Sequence, residues 1–184
     1  MRILLNMPAP DNKLLEMLTG YAAAHQHPFN IFVHLVGIPT IMLGVLIPLS
    51  WLSFDAGPLS VSAAHLLLLA FFLFYLSLDA VFAVVFLAGG WLLALLAARI
   101  AALPMETAGA IAAACFVGGY LAQFAGHAVE RSMPVLVRHP VQANLAAPFF
   151  TVVELFKLLG LRDELFLTVQ QTIAAQRDRS RDNS

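Results

Sequence analysis

Six histidines stand in this chain, at positions 25, 27, 34, 65, 127 and 139. Their spacing is more informative than their number. Asn30 and His34 are four residues apart and His127 and Glu130 three apart, so each pair shares a helix face. Pro28 ends one helix and suits the first turn of the next, so a chain reversal there can bring His25 back to His34. Neutral imidazoles with a carboxylate and open coordination positions suit non-haem Fe(II). His25, His34, His127 and Glu130 are therefore candidate ligands of a metal. Gln123, one turn before His127, could hydrogen-bond a ligand or substrate, or equally pair two helices. Hydrogen bonding alone would also account for histidines at the membrane headgroup level. Which reading holds depends on the elements that carry these residues.

Of the 184 residues, 60% are hydrophobic and 11% charged, with a net charge of −1. Mean hydropathy is +0.83. A soluble domain is about 45–50% apolar and about 25% charged, so the composition reads as an integral membrane protein. One Cys, 11 Gly and 10 Pro exclude a disulfide scaffold and a collagen-like chain. The balanced charge gives no global basic field, so no nucleic acid partner is expected. Membrane lipid is the expected surrounding, and a homo-oligomer is compatible with the sequence.

Charge is confined to the ends. Between Phe29 and His127 the only Asp, Glu, Lys or Arg are Asp55, Asp79, Arg99 and Glu106. They divide the block into runs long enough to cross a hydrocarbon core of about 30 Å, which needs about 20 helical residues. Backbone groups in lipid must pair within the segment, so each run is read as a helix. The expectation is one all-α membrane domain over 1–184, with four spans within 31–128, at about 31–52, 60–78, 80–102 and 108–128. The boundary between the second and third spans, at Ser77-Leu78-Asp79, is very tight. Residues 11–26 read as an interfacial amphipathic helix, with Leu14, Leu15, Leu18 and Tyr21 on one face. Residues 141–160 read as an interfacial or re-entrant helix interrupted by Pro148, and 176–184 as a flexible tail. The N-terminal segment is not read as a cleavable signal, because Arg2 precedes only Ile3, Leu4 and Leu5 before polar residues. Nine of the ten Lys and Arg fall outside the spans and their short loops. Four spans then place both termini in the cytoplasm, and His25, His34, His127 and Glu130 at one membrane depth.

Other residues have plainer explanations. His65 reads as an interfacial or packing residue, and His27 and His139, each before a Pro, as solvent-facing, with His139 a reserve ligand. Cys115 reads as packing. Gly89, Gly90, Gly118 and Gly119 read as sites of close helix approach, and Trp51 and Trp91 as interface or lipid-facing residues.

Two stretches carry a resemblance. One holds Tyr21, His25, Asn30, His34, Gly37 and Pro39. The other runs Gln123-Phe124-Ala125-Gly126-His127, then Glu130 and Pro134, continuing to Ala147-Pro148-Phe149-Phe150 and Glu154. Together they resemble the Mpo-type 2-hydroxy fatty acid dioxygenases, small multi-pass membrane proteins of fungi and bacteria. The resemblance covers most of the chain, with the middle spans alike only in hydrophobicity. It implies an Fe(2+)-dependent α-oxidation in which a 2-hydroxy fatty acid reacts with O2 and emerges one carbon shorter. The family's motif histidines fall on His25, His34 and His127, with Glu130 as a fourth ligand or as support for the ligands. Some members have one more residue between this His and Glu. Asn30 and Gln123 become expected substrate contacts, and a bacterial inner membrane the expected setting. Two other classes compete. A haem- or quinone-linked electron-transfer subunit would use facing histidine pairs at mid-membrane, which this chain lacks. A non-catalytic scaffold or small transporter is the other, though transporters usually carry polar or broken helices at the midplane.

Overall fold

Small residues recur every seven positions on two of the long apolar segments, and the fold is built where they meet. In a computed structural model, which describes residues 12–56, 59–138 and 140–182, these segments are helices. The shorter amphipathic stretch is α1 (Asn12–Ala24), and α2 (Pro28–Trp51) follows it. A two-stranded antiparallel hairpin comes next, β1 (Ser53–Ala56) and β2 (Leu59–Ser62). Then come α3 (Ala63–Leu76), α4 (Ala80–Ala101), α5 (Met105–Glu130), α6 (Val135–Arg138), α7 (Pro140–Leu158) and α8 (Asp163–Asp182).

Helices α2 and α5 pack antiparallel along their length. A Cβ on Gly44 of α2 would lie 2.7 Å from the Phe116 amide nitrogen and 2.8 Å from the Ala112 carbonyl oxygen of α5. One on Gly119 would lie 2.5 Å from Ile41 Cγ1 and 3.0 Å from the Gly37 oxygen. One on Gly126 would strike Asn30. Asn30, Gly37 and Gly44 therefore meet Gly126, Gly119 and Ala112 in turn. A seven-residue repeat keeps one seam facing a partner helix, and glycine at each crossing lets backbone approach backbone. Between lipid-immersed helices, where no hydrophobic force operates, that packing is the main attraction.

The other elements assemble around α2. Helix α4 packs on α2 and α3, α7 on α2 and α4, and α1 on α7 and α8. The indole nitrogen of Trp51 donates to the Ala101 carbonyl at 3.2 Å, joining the ends of α2 and α4. The start of α2 and the end of α5 share the opposite end of the bundle. Asp79 makes the tight α3–α4 link possible. Its carboxylate caps α4 by accepting from the Val81 and Phe82 amides at 2.9 and 3.0 Å, and takes Arg162 at 2.5 Å. The Arg162 guanidinium also lies 4.7 Å from the Phe82 ring centroid.

Among the described residues, three helices, α2, α4 and α5, are long and apolar enough to cross a membrane, and α7 with the first part of α8 is so only as a pair bent by 112°. The outward faces of the three are apolar, with Phe32, Leu92 and Leu121 all more than 60% exposed. An all-α membrane bundle is therefore the architecture, but the expected span over 60–78 needs correction. Its first residues are strand β2, where Ser60, Val61 and Ser62 alternate polar and apolar side chains and pair with Asp55, Phe54 and Ser53. What remains, α3, has 14 residues and a length of about 21 Å, short of a crossing. It nonetheless returns the chain to the end where α2 began.

The stretch read as interfacial or re-entrant, 141–160, is a helix packed into the core. Its Pro148 lies inside α7, and Phe149, Phe150, Val152 and Val153 are buried. Helix α8 runs through the charged stretch read as a flexible tail as far as Asp182. Val169 and Ile173, four apart, are buried in the cluster that contains Leu14 and Leu18 of α1.

The seam gives a direct test. Gly44→Ala forces two backbones apart and is expected to cost about 1–3 kcal/mol. Gly118→Ala, one residue from Gly119 but facing open space, is expected to be neutral or slightly stabilising, since Ala is the better helix former. Thermal unfolding of both variants in lipid nanodiscs checks this, and equal effects would remove the seam from its role.

Candidate metal centre

The chain reaches the seam's polar end three times. Helix α1 stops at Ala24, and His25 follows in the turn before Pro28. His27 caps α2, its Nδ1 accepting from the Phe29 amide at 3.2 Å. His34 lies one turn inside α2 beyond Asn30, and His127 in the last turn of α5. Side chains lean toward the N-terminus of their own helix. His34 therefore leans up toward the bundle end and His127 down from it, so the antiparallel pair aims both rings at one point.

All three rings are buried, at 3–6% exposure. Ring centroids lie 4.4 Å apart for His25 and His34, 4.9 Å for His25 and His127, and 5.0 Å for His34 and His127. One ligand nitrogen from each lies within 4.8 Å of the other two. Each Nδ1 is already engaged at 2.9 Å: His25 with the Tyr21 carbonyl, His34 with the Asn30 carbonyl, and His127 with the Ser132 hydroxyl. A carbonyl can only accept, so Nδ1 of His25 and His34 carries the hydrogen and Nε2 the lone pair. Nε2 of His25 is buried without a hydrogen-bond partner. Burial pushes the His25 pKa down to about 3; neighbouring His34 lowers it further, the Tyr21 carbonyl opposes this, and His127 adds to the lowering. His25 is thus neutral at neutral pH, the form that binds metal. An unpartnered lone pair, converging rings and held Nδ1 atoms are what three facial metal ligands require.

Tyr21 braces the group. Its ring stacks on His25 at 3.7 Å between centroids and 9° between planes, Phe150 stacks with it as well, and His34 meets it edge-on. Burial pushes the Tyr21 phenol up, with Glu154 adding to the effect, so it stays protonated.

Glu130 comes to the site, where its carboxylate is held by the α1–α2 turn. One carboxylate oxygen accepts from the backbone amides of Gln26 and His27 at 2.7 and 3.2 Å, and the other takes the Asn30 side-chain amide. It fastens the α1–α2 turn, and with it His25, to the end of α5. Asn30 is fully buried in this clamp against Gly126, its Oδ1 unpartnered, and does not line the cavity below the rings. Gln123 does line it. His65 closes a capping box with Ser62 at the start of α3, and His139 lies outside the described residues. Sequence reading missed Ser132, five residues past His127, because its return depends on Arg131 taking a left-handed conformation, φ 56°. Tyr21 carries a signal in the sequence, four residues before His25, although its place on the apolar face of α1 also reads as interfacial.

Beneath the rings is a cavity of about 1000 Å³ with mostly apolar walls. It extends along α2 past Ile38 and Ile41 to Val45, with Phe71 and Phe74 of α3 across from them and Phe124 of α5 nearer the rings. Lys13 and Glu16 of α1 also border it.

The clamp predicts a distinct phenotype. Glu130→Ala leaves the part-buried Asn30 side-chain amide without its acceptor and two exposed backbone amides to water, a loss of about 1 kcal/mol, and is expected to weaken metal retention about 10–100-fold as loss of a supporting partner does. Stoichiometric metal at saturating concentration, bound with lower affinity, is the expected result; stoichiometry lost outright would make Glu130 a ligand.

No curated protein and no solved structure matches the chain. A family model does, described as 2-hydroxy-palmitic acid dioxygenase Mpo1-like, over residues 12–159. That span runs from the start of α1 through α7 and takes in all three rings, their clamp and the cavity walls, so the chain belongs to the Mpo1-like family.

Proposed function

We propose that the protein is a non-haem Fe(II) dioxygenase that converts 2-hydroxy fatty acids to fatty acids one carbon shorter, with O2 as oxidant. The observation that carries this is three buried imidazoles converging on one point at the end of a large apolar cavity, in a chain of the Mpo1-like family. His25, His34 and His127 would hold the iron, leaving positions open. Bound iron supplies the site for O2 activation.

The chain's own groups do the rest. The Tyr21 and Asn30 carbonyls and Ser132 fix the imidazole orientations. A 2-hydroxy acid offers two neighbouring oxygens that fit a site with open positions, and its tail needs an apolar slot, which the cavity provides. Gln123, on the cavity wall a turn from His127, is placed to hydrogen-bond the substrate's oxygens. The buried setting excludes bulk water. Overall, one 2-hydroxy acid and one O2 give the shortened acid, CO2 and water, with four electrons passing to O2. The excess of Lys and Arg beside the histidine end of the bundle supports a multi-pass membrane protein with that end and both termini cytoplasmic, in a bacterial inner membrane.

Purified protein is expected to carry about one iron per chain, lost in His34→Ala and His127→Ala. Given 2-hydroxypalmitate and O2, it is expected to yield the acid one carbon shorter by mass spectrometry. Gln123→Ala is expected to raise KM while leaving the iron content unchanged. Folded protein with neither iron affinity nor a shortened product would overturn the proposal.

A further inference from the structure

We infer that Val45 and Leu67 set the longest acyl tail the protein accepts, an inference that rests on the fatty acid reading above. The polar end of the cavity is at the three rings. From His34 the wall on α2 continues through Ile38, Ile41, Met42 and Val45, all on one helix face. At 1.5 Å per residue, Val45 lies about 16 Å from His34 along the axis. Opposite, α3 runs back from the hairpin, and its register is set where the Ala63 amide donates to the Leu52 carbonyl at 2.9 Å. One turn into α3, Leu67 is its first residue to line the cavity, with Phe71 and Phe74 succeeding it toward the rings. Helix α5 lines the cavity between Tyr120 and His127, so at Val45 and Leu67 the wall comes from α2 and α3.

Among the described residues, no side chain of α2 beyond Val45 and none of α3 before Leu67 lines the cavity. Leu46, Ile47, Ala64 and Leu68, the neighbours of Val45 and Leu67, are at most 1% exposed. Leu68 in turn closes on Gly90 of α4, where an added Cβ would meet its Cδ2 at 2.9 Å. A tail held by its head at the rings therefore points its methyl end at Val45 and Leu67.

Selection at this end must be steric. A tail arriving from the bilayer is already in an apolar medium, so extra methylenes gain little from the transfer itself. A tail too long has to displace packed side chains, and one too short leaves wall atoms without contacts.

The test uses the iron-loaded full chain in nanodiscs and a series of saturated 2-hydroxy acids of graded length. Val45→Phe and Leu67→Phe are expected to move the optimum to acids several carbons shorter, with the shortest acids converted as in wild type. Val45→Ala is expected to move it the other way. Val45→Leu, a milder increase in volume, keeps the test open if the larger variants do not fold. A second measurement under argon, displacement of a fluorescent long-chain acid by the same series, is expected to shift in parallel. Conversion with an unmoved optimum, or a loss uniform across all lengths at wild-type iron content, would overturn the inference. Length-graded binding without any shortened product would uphold the gauge while removing the dioxygenase reading.

Discussion

The backbone-to-backbone contact of α2 and α5 is the constraint on which the rest depends. It is set at three crossings seven residues apart, and at two of them a single methyl group would drive backbone atoms into one another. A one-residue slip would put Ile38 or Tyr120 where glycine now stands, so the register is sharply defined. That register fixes the relative height of His34 and His127, which no contact between the two rings could do alone. It also lays Asn30 on Gly126 at the last crossing, within reach of Glu130. The convergence of the rings is thus a consequence of helix packing, with hydrogen bonds trimming ring orientation.

Burying three imidazoles in an apolar bundle is costly unless their polar atoms are satisfied. The chain satisfies one nitrogen of each ring from the local backbone or from Ser132 and leaves the other directed inward. His25 Nε2, Asn30 Oδ1 and Thr19 Oγ1 are the buried side-chain atoms without partners among the described residues. Two of these three are in the site. A bound metal would relieve the first of them, so metal binding and the stability of this end of the bundle should be coupled. The clamp has a similar logic. A carboxylate accepting two backbone amides and a side-chain amide organises the turn that carries His25.

Much of this was legible in the sequence, and the rest was hidden for identifiable reasons. Charge confined to the termini, together with Pro28, brings His25, His34 and His127 to one end. Proximity of Glu130 was legible as well, from its place three residues after His127. Its partners were not, because the α1–α2 turn it binds is a hundred residues away in sequence and takes its shape from the packed fold. The short α3 escaped because hydropathy counts Leu59 to Ser62 as readily in a strand as in a helix, although their alternation was there to see. Asp79 marks a tight boundary between apolar runs in the sequence, but its role as a helix cap with an ion-pair partner does not show there. That partner, Arg162, lies beyond a turn with left-handed backbone at Gly160 and Arg162 itself, which no periodicity reports.

The cavity follows from how α2 divides its surface. Its glycine face at Gly37 and Gly44 is consumed by α5, while the face carrying Ile38, Ile41 and Val45 is turned between α5 and α3. Those two helices both pack on α2 but scarcely on each other among the described residues. A bundle with α3 and α5 in contact would have filled this space with side chains. With them held apart, the gap is bordered instead by α1 and the first turns of α7, elements that also supply Tyr21 and Phe150 to the ring stack. The same spacing of helices therefore makes both the apolar slot and its polar end, and the glycines that bring α5 close to α2 place the slot and the rings on one continuous surface.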